Sequence, residues 1–397
     1  LSVKGGAVFN EDSADVDFRV ESNGNANMLF VDGGNDTVGI GTTEGNIFGT
    51  AGTANELGVQ STGTNMGAII AVGATGTGFS GIDIGTTDLR RAGVYSLNGS
   101  HLAFYTNAGN SGDSLTERFR IASDGSLSTP TSGTSNFRAG VNAGNSIVSG
   151  ANYNVLVGDN AGTALVSGGV ANTAVGYNAL AAENAHGTNT AIGYQTLQAQ
   201  DAGANGYNAA VGYNAGASLQ DGIQNTFVGA NSGDGLTTAD GNTALGYSSL
   251  SGVVTGGYNT ALGWGAGQEI TSGLNNTAVG TQALFLTTVG NYNVAVGEGA
   301  LYTNVDGSNS VAIGRLALYN QEPASAIDMD NVAVGYKSGT SVTTGVKNAL
   351  LGNYAGEFLT TGNNSVFVGF ESGKGITSNK LTGGDNVGVG YRAGYLL

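Results

Sequence analysis

From about residue 136 onward, apolar and polar residues alternate in short bursts, and the bursts return at a nearly fixed interval. NTAVGYNAL at 172, NTAIGYQTL at 189, NTALGWGAG at 259 and NSVAIG at 309 are copies of one unit. Each burst alternates with period two and favours Val, Ile, Thr and Asn, which predicts a short β-strand rather than a helical turn. Aligned on the Gly that closes the burst, the copies place that Gly at 140, 158, 176, 193, 212, 229, 246, 263, 280, 297, 314, 335, 352, 369 and 390. Nine of the fourteen steps are 17 residues, and the others are 18, 19 or 21. So short a period predicts a parallel β-solenoid in which each repeat is one coil.

With the fixed Gly numbered zero, position −1 is Val, Ile or Leu in fourteen of fifteen copies, and position −10 is aliphatic in eight, including Leu219, Leu236, Val253, Ile270, Val342 and Leu359. These two sites are expected to fill a narrow interior from two short strands per coil. Position −4 is Asn in thirteen copies, and stacked Asn side chains are expected to form a ladder, each bonding the next coil or its own turn. Ordering so many residues, Gly among them, loses more conformational entropy than two buried side chains per coil return. Position −2 is Ala in most copies and Leu or Phe in Leu156, Phe227, Leu350 and Phe367. Read as pointing opposite to −1, this apolar stripe predicts an oligomer interface, with Ala244, Ala261 and Ala278 at its centre.

The literal NSVAIG and its kin NTAVG and NVAVG resemble the head repeat of trimeric autotransporter adhesins, over roughly the last 260 residues. That resemblance implies three chains, each forming a parallel β-roll, although those heads use a shorter repeat than this one. Upstream, ANMLFVDGGNDTVGIGTT (26 to 43) and ERFRIASDGSLST (117 to 129) are strand–turn–strand phrases similar to ones that recur in bacteriophage tail fibres. Between them, AIIAVGA, SGIDIG, AGVYSL and HLAFYTN read as short strands of a compact domain. The expected organisation is all-β: an N-terminal fibrous segment over 1–56, a small trimeric β-domain over 57–135, and a trimeric solenoid of about fifteen coils over 136–397.

Composition narrows the function classes. The chain has 71 Gly in 397 residues without a Gly-X-Y period, which excludes collagen, and its 40% of hydrophobic residues are too regularly placed for disorder. A net charge of −16 argues against nucleic acid and anionic membranes, and no apolar run is long enough to span a bilayer. There are no cysteines, so disulfides and thiolate metal sites are excluded. The opening LSVKGG has no initiator Met, and the last coil is followed at once by YLL. The expectation is a fragment or processed product whose precursor continues past Leu397.

Little in the sequence points to catalysis, and no cofactor is expected. His101 and His186 lie in different regions without a partner motif, so both are expected at solvated positions. Glu322, Asp328 and Asp330 share the longest coil, where a hard cation could sit, but an acidic solvated loop is the plainer reading. One surface feature stands out: position +1 is aromatic at Tyr177, Tyr194, Tyr213, Tyr247, Trp264, Tyr336, Phe370 and Tyr391. Such a column could stack on sugar rings, or could stabilise the solenoid along its axis. The resulting expectation is a non-enzymatic, homotrimeric viral tail-fibre shaft that meets a host surface glycan or protein receptor and other virion tail proteins. A bacterial surface adhesin head, or a subunit of an extracellular filament, is the alternative.

Overall fold

The computed structural model describes residues 18–22, 25–32, 37–40, 57–59, 68–71, 79–86, 89–97, 101–107, 115–123, 125–378 and 380–396. Among them there is no helix. The chain divides into two compact units, Leu1–Pro130 and Thr131–Leu397. The first holds a four-stranded sheet of Phe18–Ser22, Asn25–Asp32, Thr37–Ile40 and Leu57–Val59, paired in chain order. The boundary expected at 56/57 therefore does not separate sheets, because Leu57–Val59 pairs in parallel with Thr37–Ile40. A second sheet takes in Ala68–Ala71, Phe79–Thr86, Leu89–Leu97, His101–Asn107, Leu115–Ala122 and Leu127–Ser128, also in chain order and antiparallel throughout. Its last hairpin turns at Gly125, which has φ +84° and whose N–H donates to the Ala122 carbonyl at 2.9 Å.

The second unit is the solenoid. Fifteen three-residue strands, from Phe137–Ala139 to Val387–Val389, form one parallel sheet. Equivalent repeat positions pair in register, so Ala244 lies opposite Ala261 and Ala261 opposite Ala278. The two 21-residue steps insert their extra residues outside the strands, where Gly307–Ser308 pairs with Ile327–Asp328 and Leu359 bridges to Leu381. A second strand per coil, expected around −10, is not formed. Left-handed backbone at +2 and +4 bends that part of the coil into turns, as at Asn231 (φ 54°) and Leu250 (φ 48°). Its N–H groups still bond the next coil, as from Leu250 to Ala266 and from Gly252 to Gln268.

Inside and outside are reversed from the expectation. The residues assigned to a trimer interface, Leu156, Phe227, Ala244, Ala261, Ala278, Leu350 and Phe367, are all buried in the chain's own core, at most 1% exposed. No partner chain can reach them. The −1 residues face out instead, Leu245 at 43% and Leu262 at 42% exposure among them. Strand parity is the cause: the Asn at −4 is buried, so −2 must share its face and −1 must oppose it. The −10 position does point inward at Leu219, Leu236, Ile270, Val342 and Leu359, but at Val253 the next residue, Val254, is buried in its place.

The core is filled by exchange of volume within and between coils. Where +4 is Gly, the position three residues later is aliphatic, as in Gly216/Leu219, Gly233/Leu236 and Gly356/Leu359. Where +4 is a buried Leu, that later position turns polar in Leu180/Glu183, Leu197/Gln200, Leu284/Thr287 and Leu301/Asn304, while after Leu250 the aliphatic Val253 turns outward and Val254 is buried instead. A bulky −2 side chain sits over Gly at +4 on two consecutive coils: a Cβ at Gly216 would come within 2.8 Å of Phe227, and one at Gly233 within 2.5 Å of it. Close packing explains the rule, since each slice has room for one large side chain and little more.

The Asn ladder forms as expected. Each Oδ1 accepts the backbone N–H of the Asn one coil on, at 2.9 Å for Asn242 to Asn259 and again for Asn259 to Asn276. Along most of the ladder Nδ2 donates to a turn carbonyl of the following coil, at 2.8 Å from Asn259 to Gly273 and from Asn276 to Gly290. At Ser310, where the ladder lacks an amide, Gln321 reaches in from the normally aliphatic column, its Nε2 bonding the Ser310 hydroxyl at 3.0 Å and its Oε1 accepting from Asn331 at 2.8 Å. A polar core residue thus repairs the ladder rather than breaking it.

Candidate functional site

The strands present to the outside two columns of side chains, −3 and −1. The first runs through Thr226, Thr243 and Thr260 and becomes aliphatic at Val332 and Val366; the second is aliphatic almost throughout. Because equivalent positions pair in register from strand to strand, each column runs unbroken along the sheet, a pattern suited to a large regular partner. A further column missed in the sequence lies just before the Asn, where Tyr153, Tyr207, Tyr258 and Tyr292 are exposed at left-handed backbone. The signal was present as Tyr-Asn pairs one residue ahead of the strand, easily passed over because only four copies carry it.

Seven of the +1 aromatics are exposed and Tyr336 is half-buried, and they do not form one continuous column. Tyr177, Tyr194 and Tyr213 stack with ring centroids 5.2 and 5.3 Å apart. Tyr336 meets Tyr354 edge-on at 5.2 Å, Tyr354 meets Phe370 edge-on at 5.9 Å, and Phe370 stacks on Tyr391 at 5.9 Å. Cations cover further faces, with Arg315 and Lys337 over Tyr336, Lys374 over Tyr354 and Arg392 over Tyr391. Sugar stacking needs a free ring face, and here most faces already meet another ring or a cation. Tyr247 and Trp264, on adjacent coils, are the pair that has no ring contact among the described residues. A second stack that the sequence reading missed, Phe285, Tyr302 and Tyr319 at 5.2 and 4.9 Å, lies at +5 and is half-buried.

Among the described residues, one titratable side chain is wholly shut off from solvent. Glu183 occupies the core column that Leu165 and Leu219 fill in nearby coils, and it is 0% exposed. Its Oε1 accepts the His186 N–H at 3.1 Å and its Oε2 accepts from Asn189 Nδ2 at 3.2 Å. Burial pushes its pKa up from the ordinary 4.5 to about 7, with the charge of Asp201 adding to the rise and these hydrogen bonds opposing it. A carboxyl whose folded-state pKa is raised contributes stability that is complete below its unfolded pKa and is lost as pH rises through the folded one. In chelator-containing buffer, Glu183→Gln should therefore match the parent near pH 4 and exceed it by roughly 3 kcal/mol at pH 8 in urea unfolding. An equal difference at both pH values would contradict the assignment.

The acidic loop offers less than its sequence suggested. Glu322 turns back to accept the Val305 N–H at 2.6 Å, and Asp328 lies in the short pair with Gly307–Ser308. Glu322, Asp328 and Asp330 are not gathered at ligand distance; among the described residues, the group that is so gathered is Glu183, His186 and Asp201. Glu183 is hard to single out in the sequence because it is one of several polar residues in that column, with Gln200, Thr287 and Asn304, and Asp201 because it lies one coil away. Comparison with protein-family models, curated proteins and solved structures finds no match to this chain.

Proposed function

We propose that this chain is a structural, non-enzymatic subunit: the shaft of a homotrimeric attachment fibre, of the kind carried by viral tails, that presents a receptor-binding element to a host cell surface. The observation that carries the reading is the outer face of the fifteen-stranded sheet. At about 4.8 Å per strand and about 3.3 Å per residue, this strip has a footprint of roughly 700 Å², close to the roughly 800 Å² each partner gives to a standard interface. Soluble monomers rarely leave so long an aliphatic strip in water. Identical chains set side by side in register would match column to column, which makes a second and third copy the natural cover. The trimer contact therefore moves from −2 to −1 and −3, and the ladder and core belong to each chain alone.

Leu245→Lys with Leu262→Lys tests the contact, since both side chains are outward and central on the strip. The full chain should sediment as a trimer, and the double variant as a monomer that keeps its β circular dichroism. A variant that remains trimeric would refute this interface. For the attachment role, preincubating host cells with the purified fibre should reduce particle adsorption; a chain that neither binds cells nor competes would refute that role.

A further inference from the structure

The turn after Leu180 and the next coil bring together three side chains of metal-ligand type. Glu183 and His186 are three residues apart on one turn, and the His186 Nδ1 lies 4.0 Å from Glu183 Oε1. That distance is too long for a hydrogen bond. The Nδ1 atom is nonetheless shut off from solvent and has no hydrogen-bond partner. Asp201 belongs to the following coil, and its Oδ2 is held by Asn184 Nδ2 at 2.9 Å. One ligand atom from each of the three lies within 4.8 Å of the others. No Lys or Arg occurs between Arg138 and Arg315, so this stretch of solenoid supplies no basic side chain to neutralise the buried Glu183.

With its lone pair on Nδ1, the His186 imidazole faces a carboxylate oxygen across 4.0 Å, an arrangement that a cation between the two would stabilise. Tetrahedral metal–ligand bonds of about 2.0–2.2 Å hold their ligands roughly 3.4 Å apart, so the pair would close by about half an ångström on binding, and the exposed Asp201 would exchange its Asn184 bond for the ion by side-chain rotation. One nitrogen and two carboxylate donors suit a borderline first-row cation better than calcium, which takes oxygen alone. We propose that Glu183, His186 and Asp201 bind a divalent cation of the Zn²⁺ class, with an open position for water, and that the ion ties one coil to the next. The carboxylate bonds from the His186 N–H and Asn189 would orient Glu183 as a ligand, since each oxygen keeps a lone pair to spare. The site lies within a single chain and does not depend on the trimer.

The test is calorimetric titration of ZnCl₂ into the full chain, stripped with EDTA and desalted, at pH 8. One ion per chain is expected. His186→Ala, Glu183→Gln and Asp201→Asn should each weaken binding at least about tenfold. His101→Ala, in the other unit, should leave it unchanged. Added Co²⁺ should give visible ligand-field bands that vanish in His186→Ala, and thermal melting should rise with Zn²⁺ in the parent but not in that variant. Circular dichroism in EDTA checks that the variants are folded, and His186→Ala, altering a partly exposed ring, serves as the decisive one should Glu183→Gln be perturbed. No Zn²⁺ uptake, or uptake unchanged by both His186→Ala and Glu183→Gln, would overturn the proposal.

Discussion

Gly263→Ala should abolish the folded solenoid rather than loosen it. Gly263 has φ +138°, a region side chains rarely enter, and a Cβ there would stand 2.6 Å from the Gly280 carbonyl oxygen and 2.7 Å from its carbon. Both atoms are backbone of the next coil, so no rotamer change relieves the overlap. Relief requires parting the coils, which breaks the strand pairing between Thr260–Leu262 and Thr277–Val279 and the ladder beside it. The expected loss exceeds about 4 kcal/mol, the range reserved for a few structural lesions. The molecule carries its own control: Gly390 closes the last coil with φ +119°, and a Cβ there meets nothing within 4 Å. Gly390→Ala should incur backbone strain alone. Denaturation followed by circular dichroism would show the contrast, and a Gly263→Ala chain melting like Gly390→Ala would refute this account of the coil contact.

Asn259→Leu should cost roughly 3–5 kcal/mol although it preserves side-chain size and makes the core more apolar. Asn259 is 1% exposed. Its Oδ1 accepts from the Asn276 N–H at 2.9 Å and from Asn276 Nδ2 at 3.1 Å, while its Nδ2 donates to the Gly273 carbonyl at 2.8 Å. Leucine leaves a buried donor and a buried acceptor without partners, each a desolvation loss of about 1–3 kcal/mol. Faster hydrogen exchange at the Asn276 amide would locate the lesion. At the fifteenth strand, Asn386 Nδ2 bonds the Gly383 carbonyl of its own turn at 2.8 Å, so Asn386→Leu should be much milder. Equal effects at the two sites would mean that the ladder contributes nothing along the stack.

The repeat, the strand at its centre and the Asn ladder were legible because each is written at fixed offsets and rests on local chemistry. The facing of the strand is not legible from bulk, since the bulkier −1 residues lie outside and the smaller −2 residues inside. Parity was the better guide: an inward Asn at −4 commits Ala244 and Phe227 at −2 to the core, whatever their size. The turns at +2 and +4 were also hidden, since Leu at φ 48° in Leu250 is a conformation no propensity rule would assign. The exchange between Leu180 and Glu183, or between Gly216 and Leu219, could have been found by comparing columns with each other instead of one at a time. Bringing Asp201 to Glu183 needed the stack itself, because their meeting depends on a register no single coil contains.

The volume exchange also sets a grammar for copy number. Duplication or loss of one coil joins two that were not neighbours, and the joint must obey the same spatial rule as every other. Leu156, Phe227, Leu350 and Phe367 each follow a coil with Gly at +4, at Gly144, Gly216, Gly339 and Gly356. Coils with Leu at +4, such as those of Leu180, Leu250 and Leu301, are followed by Ala191, Ala261 and Ala312 at −2. A lineage can therefore lengthen or shorten this rod by whole repeats only through permitted junctions, and runs of like coils are where such slippage leaves the core undisturbed.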